Sequence, residues 1–233
     1  NLVMNTKKIG CIFDMDGVLF LSSEIHFKAF QDTLAEEPAE VLDYRELAGL
    51  RTDYAIQKIY NRKGIALSPE KLKILTYRKR KYASKMLEKN PPVAKNCNKV
   101  IGELSRRGVL LALASSSSSQ NVNLFLESSG TRKFFKIILS GDDIKKPKPD
   151  PEIFQVARKS LGLQSSECLV VEDSENGIRS AKAAGINAIG VLGENNQKDF
   201  ELFGVTRVIT KLDELLMFSE FQNSVINQVN SYN

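Results

Sequence analysis

Short apolar runs alternate with amphipathic stretches along most of this chain. Lys8–Phe13 (KIGCIF) is an apolar run closed by Asp14 and followed at Gly17 by a turn residue, which is the pattern of a buried strand rather than a helix. Val109–Ala114 (VLLALA) repeats it and ends in a run of serines. Ile137–Leu139 and Cys168–Val171 are further buried runs, and Ala188–Val191 and Arg207–Thr210 are shorter late ones. Helical patterns lie between them: Asn98–Arg107, Val122–Ser128, Pro151–Leu161 with Asp150 as N-cap and Pro151 at the first helical position, and Glu175–Ala184 stopped by Gly185. From Cys97 onward this alternation predicts an α/β fold, a doubly wound parallel sheet with helices on both faces.

Residues 22–92 break the rhythm. Ser23–Glu36, Tyr54–Lys63 and Pro69–Lys89 read as helices, with hardly any strand signal among them. An all-helical stretch of that size is too long for an ordinary crossover between two parallel strands. It predicts an inserted helical cap domain over residues 22–92, bounded near Leu21 and Pro91-Pro92, on a core made of residues 1–21 and 93–233. Its aromatics Phe27, Phe30, Tyr54, Tyr60 and Tyr77 stand at helical spacing beside apolar neighbours and are expected in its core. Asn223–Asn233 is polar and Asn-rich, a tail expected to fray.

With 42% hydrophobic and 26% charged residues over 233 positions, the chain is neither fibrous nor wholly disordered. The net charge of +5 leaves nucleic acid, a membrane surface and small anions all open as partners until its distribution is considered. Between Lys63 and Lys95 ten basic residues stand against two acidic ones, a local surplus of +8, so the remainder of the chain carries −3. Cys11, Cys97 and Cys168 form no C-x-x-C pair, which suits a reduced compartment. No apolar run approaches the roughly 18 residues of a membrane span, and Asn1–Lys8 lacks a leader's apolar core. A cytoplasmic, monomeric protein without a membrane partner is the expectation.

Candidate chemistry collects where the strands run out. Ligands of an open parallel sheet sit beyond the carboxyl ends of its strands. Asp14 and Asp16 follow the first strand, two positions apart; alone, Asp-x-Asp-Gly is also a good polar turn. Ser115 and Ser116 follow the second strong strand, where hydroxyls and backbone N–H groups can hold phosphate oxygens, although a serine loop can equally be featureless. Lys146 lies in Lys-Lys-Pro-Lys-Pro-Asp, where prolines stiffen a turn that could aim an ammonium group or leave it in water. Glu172 and Asp173 end the CLVV run; paired acids suit a hard cation such as Mg²⁺, and also suit the first turn of a helix. The four signals, weak singly, are specific in this order.

In that order the motifs resemble the haloacid dehalogenase-like hydrolase superfamily, in the branch with a helical cap. Asp14-Met15-Asp16-Gly17-Val18 resembles its first motif, Ser115 the second, Lys146 the third and Glu172-Asp173 the fourth. The resemblance implies a Rossmann-like core, with Asp14 as nucleophile forming an aspartyl-phosphate and Asp16 as acid and base. It implies Mg²⁺ held by Asp14, Asp173 and the backbone carbonyl of Asp16, with Glu172 reaching it through water, and Ser115, Ser116 and Lys146 on the phosphoryl oxygens. Retention of Asp16 argues for phosphate chemistry over dehalogenation.

The cap resembles that of the β-phosphoglucomutase-like phosphatases, through Glu24 and His26, Gly49 with nearby Arg51, and Lys79 within Tyr-Arg-Lys-Arg-Lys-Tyr. His26, Arg51 and Lys79 are therefore candidate substrate residues, with His26 read as assisting closure or packing. Arg51 stands one position from where a phosphate-gripping arginine would align, and Lys95-Asn96 occupies a hinge where relatives carry Pro-Gly. The expected substrate is a small phosphorylated metabolite, with a sugar phosphate as the best class. A β-phosphoglucomutase-type phosphoryl transferase is the alternative enzyme, and a non-catalytic anion-binding module the alternative outside enzymes. The basic stretch lacks the interleaved aromatics of single-strand binders, so nucleic acid is not expected.

Overall fold

A computed structural model describes residues 8–193 and 197–222. The polar tail from Asn223 and nearly all of Asn1–Lys8 lie outside the described residues. Six strands form one parallel sheet in the order β3-β2-β1-β4-β5-β6. They are β1 (Gly10–Phe13), β2 (Leu110–Ala114), β3 (Phe135–Leu139), β4 (Cys168–Glu172), β5 (Asn187–Val191) and β6 (Val208–Ile209). Strand β1 lies between β2 and β4, so the residues just past these three carboxyl ends must converge.

Burial on both faces explains why these strands read as near-continuous apolar runs rather than as alternating ones. Cys11, Phe13, Leu111, Leu113 and Val171 belong to one core, beneath α4 (Cys97–Arg106) and α5 (Ser119–Ser129). Ile12, Ala112 and Val170 point the other way, toward α6 (Glu152–Ser160) and α7 (Glu175–Ala183). Helix α6 starts one residue later than the sequence suggested. Pro151 occupies its N-cap position, and the Asp150 carboxylate accepts from the Glu152 N–H at 3.0 Å.

Between β1 and α4 come α1 (Ser23–Leu34), α2 (Thr52–Lys63) and α3 (Pro69–Lys89). They share a separate apolar cluster that includes Phe30, Leu34, Leu47, Ile56, Tyr60 and Leu75. Three of the five expected cap-core aromatics are not in it: Tyr54 and Tyr77 are 50% and 68% exposed, because each falls on the outward side of its helix, and Phe27 is half-buried with its ring 6.1 Å from that of Tyr44. The chain crosses into and out of the cap side by side, with Leu21 N–H donating to Pro92 O at 2.7 Å and Ala94 N–H to Leu19 O at 2.9 Å. At the adjoining turn Asn96 adopts φ 61°, a left-handed conformation that asparagine tolerates best after glycine, and Asp213 holds its amide. Helix α8 (Gln197–Leu202) packs Phe200 against β5, where a Cβ at Gly190 would lie 2.6 Å from the Phe200 ring. None of the described helices is long and apolar enough to cross a membrane.

Candidate active site

Asp14 leaves β1 with its N–H still donating to Val171 O at 3.0 Å, so its position continues the sheet. Its side chain is buried and accepts at Oδ1 from Lys148 Nζ at 2.7 Å. The same ammonium donates to Glu172 Oε1 at 2.8 Å and to the Ala114 carbonyl at 3.2 Å, and lies 4.8 Å over the Phe154 ring. Its three N–H bonds therefore tie together the ends of β1, β2 and β4. Burial would lower this ammonium's pKa, but Asp14 and Glu172 push it up. Lys148 is charged at any ordinary pH.

Lys148, and not Lys146, is thus the lysine of this site. Lys146 is exposed, and only its backbone N–H is engaged, by Glu152 Oε2 at 2.8 Å. The two differ by one proline-bounded step in the turn, which carries the later lysine inward over Phe154.

The remaining oxygen of Glu172 accepts from the N–H groups of Asp173 (3.0 Å) and Ser174 (3.1 Å) and from the Ser174 hydroxyl (3.0 Å). Ser174 also caps α7 through Gly177 N–H. Helix capping and site building are here the same structure. Gly177 is required by this packing, since a Cβ there would lie 1.7 Å from Glu172 Oε1. Gly17 has the same duty on the other side: at φ 81° its absent Cβ leaves space for Asp173, whose Oδ2 would otherwise be 1.8 Å away.

Asp14, Glu172 and Asp173 each offer an oxygen within 4.8 Å of the others. Burial first, and then the Glu172 charge, push the Asp14 carboxyl up to about 8, and the same causes raise Asp173 well above its ordinary value. One ammonium does not balance three carboxylates. A hard divalent cation would, and an all-oxygen donor set of this kind fits Mg²⁺.

Asp16 faces away from that cluster, into a ring of donors. Its Oδ1 accepts from Ser22 Oγ at 2.6 Å and lies 2.9 Å from His26 Nε2; its Oδ2 accepts from Ser117 Oγ at 2.7 Å and weakly from Ser115 Oγ at 3.4 Å. Burial works against the charge, but His26 and the hydroxyls hold this carboxyl well below its usual range. The side chain of Asp16 is therefore not part of the acidic cluster. Any metal role would have to run through its backbone carbonyl.

Behind His26 stands Lys79, whose Nζ is 2.9 Å from His26 Nδ1 and 4.4 Å from the centre of the Phe30 ring. While Lys79 carries its charge it can only donate, so Nδ1 then accepts and Nε2 carries the proton presented to Asp16. Burial, then Lys79, lower the His26 pKa, while burial brings Lys79 down to about 7. Of the four cap residues Arg78–Lys81, Lys79 alone is buried.

These groups line a cavity of about 30 Å³, with Asp14, Asp16, Ser116, Ser117, Tyr44, Leu50 and Thr52 among its walls. That is room for one or two water molecules, so the cap is closed down on the site. Ser115 is fully buried and receives the Ser117 N–H at 3.0 Å, and Ser116 donates to the Gly49 carbonyl of the cap at 2.7 Å. Arg51 is not in the cavity; its guanidinium is bound to Asp53 and to the carbonyls of Ile144 and Gly141. Ser22 and Ser117 had no distinguishing local signal in the sequence, since each is one serine among several.

A model of the haloacid dehalogenase-like hydrolases matches residues 11–191, a span that contains every residue of this site. The chain belongs to that family. Among curated relatives, the Protein CbbY of Rhodobacter capsulatus is 30% identical over 81% of this chain and 87% of its own length. A Phosphorylated carbohydrates phosphatase of Thermotoga maritima is 29% identical over 88% and 95%. Among solved structures, CbbY from Rhodobacter sphaeroides in complex with phosphate superposes with a TM-score of 0.75 at 27% identity, covering 88% of this chain and 95% of that one. The hydrolase has the parallel core and helical cap expected of such relatives.

Proposed function

We propose that this hydrolase is a Mg²⁺-dependent phosphatase that cleaves a small phosphorylated metabolite, a sugar phosphate being the best class, through an aspartyl-phosphate. One observation carries the reading: two carboxylates two positions apart at the end of one strand are held by different partners, Asp14 by the Lys148 ammonium among the acids and Asp16 by Ser22, Ser117 and His26. Asp14 is thereby aimed from beside a cation that can offset charge on a transferring phosphoryl group, while Asp16 sits among groups that can pass it a proton. The phosphatase name of the Thermotoga relative favours the same class.

Asp14, oriented by Lys148, attacks phosphorus, and the bond to the leaving oxygen breaks as Asp16 gives that oxygen a proton. Water then attacks the aspartyl-phosphate, Asp16 takes the water's proton, and inorganic phosphate leaves. In the closed site Asp16 is in its base form, so it loads a proton before the first step. Ser115, Ser116 and the N–H groups of their loop hold phosphoryl oxygens, and Lys148 offsets charge beneath them. Bound at Asp14 and Asp173, Mg²⁺ would supply the charge that keeps Asp14 ionised against an anionic ester.

The cavity wall bears on the mutase alternative. Its cation is Lys79, already bonded to His26, and Arg51 is engaged elsewhere. That lining offers no free guanidinium for a second phosphate, which favours hydrolysis.

The deciding experiment measures phosphate release across a panel of phosphorylated metabolites, with Mg²⁺ or EDTA. Metal-dependent release is expected, absent in Asp14→Asn. An Asp14→Asn variant as active as the parent refutes the nucleophile assignment, and glucose 6-phosphate made from β-glucose 1-phosphate selects the mutase.

A further inference from the structure

The turn that follows β3, residues 141–144, is gripped from the cap by two guanidiniums. Arg51, at the start of α2, donates from Nη1 to Ile144 O at 2.6 Å and Gly141 O at 3.3 Å. Arg80, the residue after Lys79 on α3, donates from Nη1 to Asp142 Oδ1 at 2.9 Å. The other side of the same turn holds the serine loop. Gly141 N–H donates to Ser117 O at 2.7 Å, and Asp142 Oδ2 accepts the Ser119 N–H at 2.8 Å and its hydroxyl at 3.0 Å. Asp142 therefore has one oxygen on the cap and the other on the loop that carries Ser115, Ser116 and Ser117.

The turn is compressed between the two partners. A Cβ at Gly141 would lie 2.4 Å from Ser116 O and 3.2 Å from Arg51 Cδ, so only glycine lets cap and loop close on it together.

We infer that turn 141–144 couples closure of the cap to the conformation of the phosphate-binding loop, with Arg80 and Asp142 as positioning residues. This rests on the phosphatase reading for its kinetic consequences. Lys79 and Arg80 are adjacent on a helix and so point about 100° apart. Anchoring Arg80 on the core fixes the rotation of α3 that sends Lys79 to His26. The carboxylate that anchors Arg80 also holds the first turn of α5, so a cap that lifts takes away the charge partner of the group that holds Ser119. Burial would raise the Asp142 carboxyl, but the Ser119 N–H and Arg80 hold it below its ordinary value, leaving both contacts charge-assisted. Arg80 Nε is closed off from solvent with no hydrogen-bond partner among the described residues, and the carboxylate hydrogen-bonded to this guanidinium is Asp142, with the Asp53 charge also acting on it.

A double-mutant cycle with Arg80→Gln and Asp142→Asn tests this; the asparagine keeps an oxygen for Ser119. Each single variant is expected to lower kcat/KM about tenfold, mostly in kcat, and the double variant about tenfold rather than the hundredfold of independent sites. Arg80→Lys should restore most of the loss. Multiplicative losses, or losses confined to KM, overturn the proposal. Hydrogen exchange reads the coupling without activity: amides of residues 115–121 on the core should exchange faster in Arg80→Gln, and unchanged exchange there refutes it. If the parent releases phosphate from no ester, the functional reading has failed and the exchange measurement alone decides the coupling.

Discussion

Replacing Lys148 by Met is the sharpest test of how this site is held together. Lys148 is 1% exposed with its ammonium 4.8 Å over the Phe154 ring, and methionine, unbranched and of similar length, fills that buried space while removing the charge. What remains is Asp14 and Glu172, both buried, with no ammonium between them. Deleting one partner of a buried ion pair costs about 3–5 kcal/mol. For a chain of 233 residues that corresponds to a Tm lower by about 6–20 °C. The loss should depend on pH in a stated direction. Asp14, whose carboxyl is already raised, can relieve the repulsion by taking up a proton, so the deficit is smaller at pH 5 than at pH 8. Lys148 itself stays charged throughout that window, since its pKa is pushed up. Differential scanning calorimetry in EDTA at both pH values measures this, and Mg²⁺ should raise the Tm of the variant more than that of the parent. A loss under about 2 °C at pH 8, or an equal loss at both pH values, would refute the claim that this ammonium balances the acidic cluster.

Two further outcomes follow from the same geometry. In the metal-free parent, Asp14 is raised to about 8 from an ordinary carboxyl value, so the folded state binds a proton the unfolded chain has released. Its contribution is complete at low pH and is lost on raising pH, at up to about 1.4 kcal/mol per unit; Tm in EDTA should fall from pH 5 to 7 and level off with Mg²⁺, and a flat EDTA profile would contradict it. Gly17→Ala should lower Tm by a few degrees and raise the Mg²⁺ concentration for half-maximal activity about tenfold or more, because it displaces Asp173. Gly64→Ala is its control, with a similar φ of 67° but open space around the Cβ; equal effects on Mg²⁺ dependence in the two variants would show strain rather than displacement.

The strands themselves, and the placing of Asp14, Ser115, Glu172 and Asp173 just past their ends, were legible because they depend on local pattern, whereas the order of the strands in the sheet was not. A buried parallel strand needs an unbroken apolar run, and whatever polar residue ends that run lies at the carboxyl edge of the sheet. The helical insertion was legible for a similar reason, since residues 22–92 carry helical periodicity and little else. Asn96 departs from the expected glycine yet suits its place, as the φ of 61° needs a residue that tolerates the left-handed region and asparagine does.

Direction and partnership were not legible. Lys146 and Lys148 share one turn and one chemistry, and choosing between them requires knowing that the later side chain passes over Phe154 to reach Asp14, 134 positions away. Arg51 reads as a cleft residue until Asp53, Gly141 and Ile144 are seen to hold it, and Ser117 as filler until it meets Asp16. Tyr54 and Tyr77 have helical spacing but sit on the wrong side of their helices. The chain alone thus determined which chemistry is present and at which strand ends, because burial and periodicity act over a few residues. Only the tertiary structure decided which lysine, which serines and which arginines take part, because a hydrogen bond three ångströms long joins residues that the sequence places far apart.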